Sequence, residues 1–456
     1  MTVWGNTSAA AMRRTILAIA LPAMLTNVAT ALFGMADTWV IGRLGDPVAQ
    51  GAVEVGAKFL MALLIAFNFL RSSTVGLTAQ AAGRGDQDAQ AATLTRGLAV
   101  ALLVGMLILV FRPFVVPVGL QVFGATGPLA GRARTYVDIR YWGGAAWLVN
   151  AVQVGWLIGL RRMRAVLAVE VGANIVHVLL DVTLVLGFGL GVAGVAAATL
   201  TSETAKLVAL ALIVARQASA RRALALVLEG ATWRAAELGR LFALNRDLFI
   251  RTLLLMSVTV LVTRAGVRQG ATVLAANAIL FQLFTLGTLI LDGFESAAQV
   301  LSGEAVGSRD RAGFDRQARH ILALAGGCAA LIALVYFVGG ARLAASFSTD
   351  PSVIAATGAY IGWAVALPLV GVASFVFDGV FIGAGWTRAM LLSMAIALGV
   401  FAAGLVAARP LGNHGLWLAF ALFFVARSAG QAWLAPGLAR RSFAQRSLSG
   451  AAPHLV

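Results

Sequence analysis

Long apolar runs alternate with short segments that carry arginine, and this rhythm continues from one end of the chain to the other. Thr15 to Gly42, Gly97 to Phe111 continuing to Val118, and Val166 to Gly187 each approach or exceed the roughly 20 apolar residues that a bilayer-spanning helix needs. About twelve such runs meet the same length criterion. The pattern predicts helices over 15–42, 50–76, 93–117, 135–160, 164–187 and 191–214, then over 244–266, 272–300, 318–340, 355–383, 388–408 and 414–436. The first run follows Arg13 and Arg14 and is too long for a signal-peptide core. It also lacks a small-residue cleavage site at a suitable distance, so it is expected to remain as the first membrane helix.

The pattern repeats. Gly83 and Gly307, Gly155 and Gly379, Gly159 and Gly383, and Gly191 and Gly415 are each 224 residues apart, and Asp86 and Asp310 keep the same spacing. The surrounding segments agree in character: GLTAQAAGRGD (Gly76 to Asp86) matches VLSGEAVGSRD (Val300 to Asp310), and GWLIG matches GVFIG. A constant offset implies two six-helix halves of equal orientation, a parallel repeat of the sort transporters use around a central site. The expected organisation is an N-terminal lobe over 1–220, a cytoplasmic linker over 221–243 and a C-terminal lobe over 244–456, with both termini cytoplasmic. The arginine-rich stretch around the linker, Arg216 to Asp247, ends in an amphipathic segment suited to a membrane surface.

Composition agrees with this arrangement and narrows it. The chain is 60% hydrophobic and 12% charged, with a mean hydropathy of +0.88, which excludes an ordinary water-soluble globule. A net charge of +16 in a soluble protein would suggest nucleic acid. Here the arginines sit between apolar runs, as Arg161, Arg162 and Arg164 do, so the charge reads as the positive-inside signal and no nucleic-acid partner is expected. Cys328 is the single cysteine, which rules out an intramolecular disulfide, a multi-cysteine zinc site and an iron–sulfur cluster.

Charged residues inside membrane helices are costly, about 2.5–3.5 kcal/mol each on insertion scales, so they are expected to line a cavity or to pair. Asp37 lies late in the first helix, downstream of Pro22, whose missing amide proton frees a carbonyl and allows a bend. One reading makes Asp37 an ion-coupling acid on a moving helix; the other has it only bonded near the outer interface. On the fifth helix Asn174, His177 and Asp181 share a face, and on the sixth Thr199, Glu203 and Lys206 do. The second-half equivalents of Asp37, Asn174, His177 and Asp181 are Leu261, Leu398, Phe401 and Leu405, all apolar. The polar set therefore belongs to the first half alone.

Glu203 with Lys206 reads as a simple ion pair, Thr199 as a hydroxyl available to the fifth-helix cluster, and His177 equally as a packing residue or a proton carrier. Arg264, Asp292, Glu295, Glu304 and Asp378 form a second polar group in which structural bridges and functional roles are both open. Phe33, Met35, Trp39, Met61 and Met256 are candidate contacts for an adaptable apolar substrate, although Met and aromatic residues in membrane helices more often pack. No metal site is indicated. A GxGxxG at Gly189, Gly191 and Gly194 lies between two membrane helices with no preceding soluble strand, so it reads as a tight turn. There is no GxxxxGK[ST] phosphate loop, and no constellation of nucleophile, metal or paired carboxylates for an enzyme.

LPAMLTNVATALFGMADTWVIGRLG (Leu21 to Gly45), FLRSSTVGLTAQAAGRGD (Phe69 to Asp86), NRDLFIRT (Asn245 to Thr252), LAANAILFQL (Leu274 to Leu283) and LDGFESAAQVLSGEAVG (Leu291 to Gly307) together resemble the multidrug and toxic compound extrusion (MATE) family, in its DinF-like branch. The resemblance covers nearly the whole chain. It implies an all-α integral membrane protein with twelve transmembrane helices in two pseudo-symmetric six-helix lobes, V-shaped, placed in a bacterial inner membrane and expected to be monomeric. The implied activity is secondary export of small organic compounds, cationic or amphiphilic, against proton or sodium entry, with no organic cofactor and with membrane lipid as surroundings. By position Asp37 and Asp181 resemble the family's acids, Pro22 its bending proline and Thr199 its sixth-helix threonine. His177 stands where many relatives carry asparagine, which favours H+ over Na+ as the coupling ion. Sodium coupling, or flipping of a lipid or lipid-linked sugar with Arg71, Arg251 and Arg264 as support, remain the alternatives.

Overall fold

The computed structural model describes residues 8–444, without the side chain of Phe33. The expected location of the two termini therefore concerns residues outside the described ones, and Phe33 as a cavity contact does as well. Among the described residues fifteen α-helices follow in order: α1 (Ala9–Gly42), α2 (Pro47–Ile65), α3 (Phe69–Gly83), α4 (Gln87–Val122), α5 (Gly127–Arg140), α6 (Gly143–Gly159), α7 (Met163–Asp181), α8 (Gly191–Ala215), α9 (Ala218–Leu226), α10 (Ala235–Val267), α11 (Ala271–Ser308), α12 (Arg311–Ala345), α13 (Pro351–Ala384), α14 (Thr387–Ala407) and α15 (Gly412–Ala444). A π-helical turn, Val182–Gly187, continues α7. Among the described residues there is no strand.

Among the described residues eleven spans are long and apolar enough to cross a membrane, against the twelve expected. The expected helix over 135–160 is divided between α5 and α6, neither long enough alone. The division is a local tightening: the Gly144 amide bonds the Tyr141 carbonyl three residues back at 3.1 Å. The same tightening separates α2 from α3, where Phe67 bonds Leu64 at 2.9 Å and Asn68 bonds Ile65 at 3.1 Å.

The 224-residue repeat has a packing cause. A Cβ on Gly155 would lie 2.5 Å from the Arg71 carbonyl oxygen, and one on Gly379 would lie 2.2 Å from that of Glu295, which is itself the repeat partner of Arg71. The repeat glycines thus let α6 lie backbone-to-backbone on α3, and α13 on α11. Gly383→Ala must push its new methyl against the Gln299 carbonyl, 2.2 Å away. A loss of about 1–3 kcal/mol is the expected cost of such overpacking, read as a lower thermal midpoint in detergent. Asp86 and Asp310 have a shared role too: each caps a helix, Asp86 accepting from the Ala89 amide at 2.9 Å and Asp310 from that of Gly313 at 2.8 Å. Gly189 and Gly191 have φ of +69° and +53°, consistent with a turn before α8.

Asp46 caps α2, accepting from the Val48 and Ala49 amides at 3.0 and 3.1 Å, and is bonded by Arg132. The Arg132 bond and the cap hold its carboxyl below the usual carboxylate range. A depressed folded-state value means the stabilisation is present above the ordinary carboxylate range and is lost as pH falls through the folded one. Asp46→Asn should therefore lower the thermal midpoint at pH 7, and the difference from wild type should close as the melts are repeated toward acid.

Contacts divide the chain into two compact groups, one over Leu25–Asn245 and one combining Met1–Met24 with Arg246–Val456. The reading of 1–220 as a single lobe differs from this at its start. The first part of α1 belongs with the second-half helices because Met24 and the Ala20 carbonyl fit against Gly293, where a Cβ would come within 2.4 Å of Met24 Cγ and 2.7 Å of the Ala20 oxygen. The group boundary falls two residues after Pro22. The expected linker is also folded: Thr95 Oγ1 donates to the Ala223 carbonyl at 3.0 Å, Arg96 Nε to that of Thr232 at 2.8 Å, and Arg222 pairs with Asp88 at 3.0 Å, which docks α9 on α4. In the second group the core is aromatic, with Phe401, Trp417, Phe420, Phe423 and Phe424 buried together between α14 and α15.

Candidate ion-coupling site

Asp37 on α1 and Asp181 on α7 meet at one imidazole. His177 is fully buried, as is Asp181, and Asp37 is 5% exposed. His177 Nε2 lies 2.7 Å from Asp37 Oδ1 and 3.1 Å from Asp181 Oδ2. The i, i+4 spacing of His177 and Asp181 places both on the side of α7 that faces Asp37. A ring nitrogen has one proton to give, and the shorter distance assigns it to Asp37. Neither Asp181 oxygen has a hydrogen-bond donor, although one stands at ion-pair distance from the ring.

Thr199 was expected to offer its hydroxyl to this cluster, and the structure corrects that. Thr199 Oγ1 donates to the Val195 carbonyl at 3.0 Å, because a helical threonine reaches back to its own preceding turn. Ser202, three residues on, lies nearer the ring: its Oγ is 3.4 Å from His177 Nδ1 and donates to the Thr199 carbonyl at 3.0 Å. Sequence reasoning missed Ser202, although its i+3 spacing from Thr199 on the same helix is a legible signal. Asn174 is not in the cluster either; Nδ2 donates to the Ala29 carbonyl at 2.8 Å, a tie between α7 and α1.

Tyr136 and Arg140 on α5 bond each other, with Nη1 donating to the phenolic oxygen at 2.6 Å, and Asp37 and Glu203 are close enough to act on the guanidinium electrostatically. Lys206 pairs at 2.8 Å with Glu170 and only at 3.9 Å with Glu203, so the expected Glu203–Lys206 pair is the longer arm of a trio. Glu203 instead accepts from Asn150 Nδ2 at 3.0 Å. Glu170 was overlooked, yet it lies on the same stripe of α7 as Asn174, His177 and Asp181 at i, i+4, i+7 and i+11.

The proposed substrate contacts fall in both contact groups. Met35, Trp39 and Met61 are 64%, 53% and 67% exposed, with the Arg43 guanidinium over the Trp39 ring at 4.8 Å. Met256, on α10, belongs to the other group. In that group Asp378 on α13 is buried and bonded by both Arg251 on α10 and Arg427 on α15, while Gln431 Nε2 donates to its second oxygen at 2.7 Å. Of the five second-half residues with open roles, Asp378 is thus a bridge. Its partners Arg427 and Gln431 were missed, although each is a polar residue inside an apolar run.

Asp37, His177 and Asp181 also present ligand atoms within 4.8 Å of one another, the one group of three or more such residues of this kind among the described residues. Two carboxylates and an imidazole suit a first-row divalent ion. Nε2 and Oδ1 at 2.7 Å are, however, at the distance of a hydrogen bond already occupied by a proton.

A family profile described as MatE matches residues 22–183 and 248–407. The DNA damage-inducible protein F of Escherichia coli (strain K12) is 37% identical over 409 residues, which covers 90% of this chain and 89% of that protein. A probable multidrug resistance protein NorM of Xanthomonas campestris pv. campestris is 27% identical over 454 residues, covering 97% of each. A crystal structure of MATE in the bent conformation superposes with a TM-score of 0.85 at 18% identity, over 95% of this chain and 97% of that one.

Proposed function

Because the chain belongs to the MatE family, whose members are membrane transporters and not enzymes, we propose that it exports small organic compounds, cationic or amphiphilic, in exchange for protons. The observation that carries this reading is the buried Asp37–His177–Asp181 cluster shared by α1 and α7. Charge held so deep in membrane helices marks an ion pathway. The Ser202 hydroxyl proton is committed to Thr199, so His177 Nδ1 is left to donate to Ser202, and Nε2 donates to Asp37. That pattern fits an imidazolium between two carboxylates. One further proton on either acid neutralises the cluster, weakens the hold of His177 on Asp37 and frees α1, whose contacts change just past Pro22. Release of that proton to the other side restores the hold.

Protons are favoured over sodium because the group between the two acids is an imidazole, a nitrogen base that takes up a proton, where a sodium ion needs oxygen ligands. A flippase reading loses Arg251, which is spent on Asp378.

The test is efflux of a fluorescent lipophilic cation from proteoliposomes under an imposed proton gradient and, separately, a sodium gradient. Transport under the proton gradient alone supports the reading. Transport under sodium alone transfers the coupling to sodium, and none under either gradient with folded protein overturns the antiporter.

A further inference from the structure

Three arginines lie where the positive-inside pattern does not place them. Helix α10 leaves the basic linker at Ala235 and crosses to Val267, so its far end lies on the opposite side of the membrane from that linker. At that end a cavity of about 440 Å³ is bounded by α10, by α14 and by the turn that leads into α15. Arg264, Arg268 and Arg409 all line it, and no acidic residue does.

The three guanidinium groups are exposed and have no acidic partner among the described residues. Arg264 lies in the last turn of α10 and Arg268 just past the helix end at Val267, so two like charges sit close together at the mouth of a cavity with no acidic lining residue. The duplicated scaffold does not demand them: the residues 224 positions earlier are Val40, Leu44 and Val185. Local packing brings Arg409 to the site. Its turn lies tight on α15 because Gly415 has no side chain, and a Cβ there would come within 2.0 Å of the Ala408 carbonyl oxygen. The other walls are apolar, with Leu261, Leu405, Val406 and Leu416 among them, and Val406 is 61% exposed on a membrane-spanning helix.

We propose that this groove binds the headgroup of an anionic phospholipid in the leaflet opposite the basic linker. The three guanidinium groups hold its phosphate oxygens, and an acyl chain lies along the apolar wall. Guanidinium matches phosphate in charge and fork geometry. A lipid suits the groove better than a free anion because half of its lining is apolar surface on helices that cross the bilayer. The role is separate from transport coupling, since these residues belong to the contact group that does not contain Asp37.

Lipid-binding native mass spectrometry of the purified full chain tests this. Phosphatidylglycerol and phosphatidylcholine are titrated in parallel, with inorganic phosphate as competitor. Phosphatidylglycerol should bind at least ~10-fold more tightly than phosphatidylcholine. At about 1 kcal/mol per basic residue, or ~5-fold each, the Arg264→Gln/Arg268→Gln/Arg409→Gln variant should lose roughly 100-fold in phosphatidylglycerol affinity. The corresponding triple lysine variant keeps the charge and should stay within ~10-fold of wild type, which separates the effect from misfolding. An unchanged preference in the triple glutamine variant overturns the proposal. An equal loss on removing Arg216, Arg221 and Arg234 from the linker does so too. Displacement of the lipid by millimolar inorganic phosphate would assign the groove to a free anion instead.

Discussion

Asp37→Asn should reduce proton-driven export to the rate seen without a gradient, while the protein still inserts, purifies as one species and melts no lower than wild type. The amide has nearly the shape of the carboxylate and can still accept from His177 Nε2 at the 2.7 Å contact. It cannot change charge, so the site loses one of the two acids able to take up the coupling proton. The substitution also removes a negative charge from a cluster with only one cationic member in direct contact, so stability is retained or improved. An Asp37→Asn protein that still exports under a proton gradient would remove Asp37 from the coupling mechanism. One that fails to fold would make it a structural residue.

The second large effect is on stability. Asp378→Asn should cost about 3–5 kcal/mol, because it takes from two buried guanidinium groups the one carboxylate that bonds both. Arg427 is 3% exposed and the Arg251 side chain 16%, so neither is solvated well enough to stand alone. Thermal melts in detergent and folded yield from membranes measure the loss. The double variant Asp378→Asn/Arg427→Gln removes one of the stranded charges and should recover part of it. If Asp378→Asn melts like wild type but loses proton-driven transport, Asp378 is a coupling residue and not a bridge. Equal transport per folded molecule in the single variant assigns it to structure.

Pairing explains why two buried acids in one duplicated chain have such different prospects. Asp378 is held by two arginines and a glutamine amide, so its charge is already balanced and protonation would strand its partners. Asp37 and Asp181 share a single titratable imidazole, so a proton can enter or leave at moderate cost. Nothing in the spacing along the chain distinguishes these cases. Arg251 and Arg427 are 127 and 49 residues from Asp378, and only the folded chain brings them together.

Sequence by itself determined the membrane setting, the number of membrane-crossing spans to within one among the described residues, the duplication and the acids inside the spans, because each is a property of local composition or of constant spacing. Apolar length decides whether a segment spans a bilayer, and a 224-residue period is visible without coordinates. The face shared by His177 and Asp181 follows from helical geometry alone. Only the tertiary structure decided the partners. It set Ser202 and not Thr199 against the imidazole, gave Lys206 to Glu170, returned the start of α1 to the second-half helices at Gly293, and collected Arg264, Arg268 and Arg409 around one groove. The reason is physical: a helix's periodicity specifies which residues point the same way, but the distance between two helices is set by what packs between them. Here that is often a glycine whose missing Cβ admits a neighbouring backbone.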